Sequence, residues 1–129
     1  MLRAWEGLFS VDCLMRSAAI LQGLYYVLTG IWPLVHLRSF LAITGPKTDV
    51  WLVRTVGCLI AAIGASLLTA AAERCFPNAI VVLAAGASAV LAAVDIVFVF
   101  RGRISRVYLL DAGPELGLLA VWLWIAWAR

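Results

Sequence analysis

Residues 50–100 read VWLVRTVGCLIAAIGASLLTAAAERCFPNAIVVLAAGASAVLAAVDIVFVF, and this stretch decides the fold. Two apolar runs, residues 50–72 and 78–100, flank the short segment Glu-Arg-Cys-Phe-Pro at 73–77. Each run has the ~20 apolar residues that a helix rising ~1.5 Å per residue needs to cross a ~30 Å hydrocarbon core. So short a connection leaves room only for a tight antiparallel hairpin.

Two further apolar runs lie outward of this pair, about residues 17–37 and 107–128. The connection 38–49 contains Gly-Pro-Lys-Thr-Asp, a turn composition, and 101–106 is short and basic. The expected architecture is all-α: an integral membrane four-helix bundle, up-down-up-down, forming one domain over residues 1–129. Composition agrees, with 65% hydrophobic and 13% charged residues against about 25% charged in soluble domains. In water, that apolar excess would drive aggregation; a bilayer is its natural solvent.

Within residues 1–16, Leu2, Trp5 and Phe9 share a helical face, which predicts a short interfacial N-terminal helix. Glu6 and Asp12 interrupt this segment and no small-residue cleavage site follows, so it is expected to be retained. Tryptophans mark two interfacial belts, Trp32 and Trp51 at one face and Trp5, Trp122, Trp124 and Trp127 at the other. Arg38, Lys47, Arg54, Arg101, Arg103 and Arg106 fall toward the first and third loops; Arg3, Arg16, Arg74 and Arg129 fall opposite. The positive-inside tendency then puts the first and third loops in the cytoplasm and both termini outside. Localisation in a bacterial inner (cytoplasmic) membrane is the expectation. The net charge of +3 is scattered, which argues against nucleic acid as a partner.

Small residues recur at helical spacing in the central pair, Gly57, Ala61 and Ala65 facing Ala84, Ser88 and Ala92. Close approach through such residues predicts that the second and third spans pack tightest. Cys58 reads as a small core residue, whereas Cys13 and Cys75 lie toward one membrane face, where a disulfide is chemically permitted. No cysteine–histidine metal spacing, phosphate loop or nucleophile–base pair is visible. The expectation is no metal, no catalytic residue and, on balance, no enzyme.

Ionisable groups inside spans are costly unless paired or hydrated. Arg54, Asp95, Asp111 and Glu115 all approach one side of the membrane, which predicts a half-buried polar cluster in which Arg54 pairs with the carboxylates. Such a cluster either fixes helix register or handles protons, substrate or a cation. Pro114 starts or kinks the last helix. His36, the sole histidine, closes the first span as an interfacial polar residue or a pigment or haem ligand. Gln22, Tyr25 and Tyr26 bond between helices or contact a partner or quinone-like ligand.

The stretch 25–68, YYVLTGIWPLVHLRSFLAITGPKTDVWLVRTVGCLIAAIGASLL, resembles DoxX-like four-helix bacterial membrane proteins. The features shared are an apolar first helix ending in a Gly–Pro region and Arg54-Thr-Val-Gly57 opening the second. The resemblance implies the four-helix fold and a redox-linked membrane role, and it carries over no catalytic residue. Three function classes therefore stand. The leading one is a non-catalytic accessory subunit of a larger respiratory- or photosynthetic-type membrane complex, with other membrane subunits as partners. The second is a DoxX-like redox-linked or lipid- or quinone-interacting protein, in which bound lipid, quinone or pigment occupies a pocket near Tyr25, Tyr26 and Arg54. The third is a small oligomeric channel or transporter.

Overall fold

The computed structural model describes residues 10–129. Its helices are α1 (Val11–Val35), α2 (Leu37–Thr44), α3 (Val50–Glu73), α4 (Asn78–Phe100) and α5 (Tyr108–Ala128). Among the described residues, four of them, α1, α3, α4 and α5, are long and apolar enough to cross a membrane.

The helix ends follow from local chemistry. Ser10 caps α1, its Oγ accepting from the Cys13 N–H at 3.2 Å, and Asp12 in the first turn favours the positive end of the helix. The chain leaves α1 at His36, whose backbone N–H donates to the Trp32 carbonyl while its Nδ1 accepts from the Ser39 N–H to open α2. At the end of α4, Gly102 adopts a left-handed φ of 70°. The Arg103 N–H then reaches back to the Phe98 carbonyl and the Gly102 N–H to Val99, which satisfies carbonyls the helix end would orphan.

Three expectations need correcting here. The first long helix starts at Val11 rather than 17, so residues 11–16 continue the long apolar helix α1 instead of forming a separate short one. Arg16 is tolerated inside α1 because its Nε–H donates to the Ala71 carbonyl near the end of α3. The remainder of the expected interfacial helix, with Trp5, lies outside the described residues. The connection after α1 is not a plain loop: α2 lies within it and turns Phe40, Ile43 and Thr44 toward the bundle interior. Of the two readings of Pro114, as the start of the last helix or a kink within it, the first falls: α5 runs through Pro114 from Tyr108.

A fourth correction concerns packing. The tightest pair is α1 with α3, while α3 and α4, adjacent in sequence, share little contact. Glycines explain the preference. A Cβ on Gly30 would stand 2.4 Å from the Gly57 carbonyl oxygen, and one on Gly64 would stand 2.7 Å from that of Gly23. No alanine permits such approach. Gly23 meets Gly64 and Gly30 meets Gly57, so the two helices run in opposite directions. The other extensive pair is α4 with α5. Ala84, Ser88 and Ala92 are buried, but Ala84 and Ser88 meet Gln22 of α1 rather than α3.

At the end of the bundle holding the 73–77 turn, Met15, Ala19, Leu67, Ala84, Trp122 and Ile125 form a continuous apolar core. Trp122 is therefore not a belt residue: it is fully buried and donates its Nε1–H to Gln22 Oε1 at 2.6 Å. Trp51, Trp124 and Trp127 are exposed on the bundle surface. Cys58 is exposed rather than in the core, and Cys13 and Cys75 are free thiols.

Candidate functional site

Toward the other end the helices part. There α1, α2, α3, α4 and α5 line a half-open cavity of about 610 Å³. Its walls are chiefly apolar, Leu52, Val56, Ile60, Leu91 and Val94 among them, and α2 covers part of it with Phe40 and Ile43. Its polar lining comprises Thr29, Thr44, Lys47 and Tyr108 together with a group of Tyr25, Tyr26, Asp95, Asp111 and Glu115.

The carboxylates arrive there by helical spacing. Along α4 the buried residues are Val81, Ala84, Ser88, Ala92 and Asp95; along α5 they are Ala112, Glu115, Leu118, Trp122 and Ile125. Steps of three and four define one buried stripe per helix, and each stripe carries a carboxylate at its cavity end. Glu115 lies seven residues past the start of α5 at Tyr108, about 10 Å along its axis at ~1.5 Å per residue.

A chain of hydrogen bonds ties this zone to the core. Gln22 donates to the Ala84 carbonyl at 3.0 Å and to Ser88 Oγ at 3.1 Å. The Tyr26 hydroxyl lies 3.4 Å from Ser88 Oγ and donates to Glu115 Oε2 at 2.8 Å. The Tyr25 hydroxyl donates to Asp111 Oδ1. The two tyrosines, adjacent in sequence, thus each secure a carboxylate on α5. The chain then stops at Trp122, beyond which the buried side chains of Ala18, Ala19, Leu67 and Ile125 are apolar.

Two oxygens remain over. Glu115 is 1% exposed and Asp95 6% exposed, yet Glu115 Oε1 and Asp95 Oδ2 are buried with no hydrogen-bond partner among the described residues. Arg54, expected to pair with them, is exposed, and no ion pair or hydrogen bond joins it to any described residue. Its guanidinium reaches outward, as long cationic side chains near a membrane surface do. Among the residues lining the cavity, Lys47 is the one cation. Its ammonium donates to Thr44 Oγ1 at 2.8 Å and to the Gly45 carbonyl at 3.2 Å, and it sits 5.2 Å and 5.3 Å from the ring centres of Phe40 and Tyr108. These contacts make it a clasp between α2 and α5 at the rim.

His36 is exposed and acts as the cap between α1 and α2, away from the cavity lining. Trp32, which sequence reasoning placed only in a belt, lines the cavity, packs edge-on against Phe40 at 5.3 Å and donates to Ser39 Oγ. Comparison with family models, curated proteins and solved structures finds no match to this chain.

Proposed function

We propose that this chain is an integral protein of a bacterial cytoplasmic membrane that binds a lipid- or quinone-sized apolar molecule by its polar end. The observation that carries this reading is the cavity of about 610 Å³, apolar in its walls and floored by the tyrosine–carboxylate pairs. Small-molecule sites commonly occupy ~300–1,000 Å³ and combine apolar walls with a few placed polar groups. In this reading the four long helices run up-down-up-down across the bilayer. Arg38, Arg101, Arg103 and Arg106 flank the helix ends nearest the cavity, and the positive-inside tendency favours the cytoplasm for that end. A ligand then enters from the bilayer and seats its polar end beside Tyr26 and Glu115.

This is the second of the three classes, without Arg54. The DoxX-like redox role adds a reason to consider quinone. The accessory-subunit class gains no particular residue, because the exposed large apolar side chains come from all four long helices, as contact with lipid requires. A channel through a single copy needs a polar route to the opposite face, and the hydrogen-bond chain inside this bundle ends at Trp122; a path between copies in an oligomer is a separate arrangement.

The test uses the protein in phosphatidylcholine nanodiscs titrated with naphthylhexanol, a neutral apolar fluorophore. Saturable binding to the wild type, reduced at least tenfold by the cavity-filling substitution Leu91→Trp, is the expected result. Uptake equal to that of empty nanodiscs, or binding that Leu91→Trp leaves unchanged, rules the proposal out.

A further inference from the structure

The geometry points to a ligand of particular chemistry: a lipophilic ammonium whose N–H groups satisfy Asp95 Oδ2 and Glu115 Oε1 while its apolar body fills the cavity. This rests on the ligand-binding reading and names the class of molecule.

The cavity's polar zone is one-sided. Three carboxyl groups meet there, from α4 and α5, and Glu115 stands within electrostatic reach of both Asp95 and Asp111. Among the described residues, hydrogen bonds reach two of their oxygens, from Tyr25 to Asp111 and from Tyr26 to Glu115. Glu115 Oε1 and Asp95 Oδ2, both on side chains more than nine-tenths buried, receive none from any described residue. A buried acceptor without a donor carries the full cost of its desolvation, and a carboxylate in an apolar wall needs a cation or a proton. The cations nearby are otherwise engaged: Lys47 is clasped at the rim and Arg54 is exposed.

A ligand that supplies the cation has to bring donors and positive charge in a form that an apolar cavity accepts. Among the described residues no group of three or more acidic, histidine or cysteine side chains stands close enough together to hold a metal ion, and a strongly hydrated cation suits apolar walls poorly. An alkyl- or arylammonium fits. It carries more than one N–H donor, and its apolar body suits walls formed by Leu91, Val94 and Ile60. The aromatic rim already holds an ammonium, since Phe40 and Tyr108 flank Lys47 Nζ at cation–π distance. A quaternary ammonium lacks the N–H groups and is the poorer ligand.

The experiment compares naphthylhexylamine with naphthylhexanol, molecules of matched shape, on the whole protein in zwitterionic phosphatidylcholine nanodiscs, with empty nanodiscs subtracted. The amine should bind at least tenfold tighter than the alcohol. Glu115→Gln preserves an oxygen for the Tyr26 hydroxyl, and Asp95→Asn preserves side-chain volume. Each should bring the amine-to-alcohol ratio toward one, while the helical circular dichroism of each variant, which reports a folded bundle, stays that of the wild type. Equal binding of amine and alcohol to the wild type overturns the inference, for it means that the carboxyl groups carry protons and serve a neutral ligand. A ratio that survives both substitutions overturns it as well. In either case alcohol binding leaves the ligand-binding reading standing; loss of alcohol binding to the wild type ends both.

Discussion

The two ends of this bundle are built from the same helices on opposite terms. At the 73–77 end, Ala19, Leu67, Trp122 and Ile125 are fully buried and close-packed, and stray backbone carbonyls receive arginine donors: Arg16 bonds to Ala71 and Arg129 to Phe76 at 2.8 Å. At the other end the same helices leave about 610 Å³ open, place three carboxyl groups on its wall and leave two of their oxygens unpartnered. Interiors ordinarily close such gaps and satisfy such groups. One end behaves as scaffold, and the other departs from good packing where a ligand would make the difference up.

The difference can be broken from either side. Trp122→Ala removes the largest buried side chain of the closed end and leaves Gln22 Oε1 without its donor. It should cost about 3–5 kcal/mol, read as a large loss of apparent melting temperature in detergent micelles. A drop no larger than that of a surface substitution would mean the closed end is not the scaffold. Enlarging a side chain at the open end should do far less. Overpacking usually costs about 1–3 kcal/mol in a filled core, whereas Leu91→Trp has empty volume to enter and should stay under about 1 kcal/mol by the same melting assay. A strongly destabilised Leu91→Trp would show that the gap closes in the membrane. Smallest of all is Arg54→Ala, a change at an exposed side chain with no partner among the described residues. It should remain within about 0.5 kcal/mol. Were Arg54 the partner of a buried carboxylate, its removal would strand that charge and cost several times more.

Much of this was legible beforehand, and the misses share a cause. The third and fourth spans stand within a residue or so of where the apolar runs put them, because Pro77 and Gly102 punctuate the chain at α4. Asp95 and Glu115 were visible as site residues from depth, and the three- and four-residue steps of their helices place both on a buried stripe. Arg54 misled because counting residues gives depth but not direction around the helix. Its side chain points outward although its position along α3 matches theirs. The choice of helix partners was hidden for a related reason. Small residues mark a face that can approach closely, but which helix meets it depends on whether a second glycine face exists, and Gly23 and Gly30 supplied one on α1. The beginning of α1 was missed because Asp12 and Arg16 look unlike span residues until Ala71 offers Arg16 an acceptor. The cavity itself was out of reach, since a void belongs to no residue.

The most direct test of the account is an anomalous-scattering map of the protein crystallised from a lipidic phase with a bromine-labelled naphthylhexanol. The account predicts a bromine peak inside the bundle, between Ile60 of α3 and Leu91 of α4, with the hydroxyl end toward Glu115. Bromine found only along the outer, lipid-facing surfaces, with the helices closed over the space between Tyr26 and Val94, would contradict it.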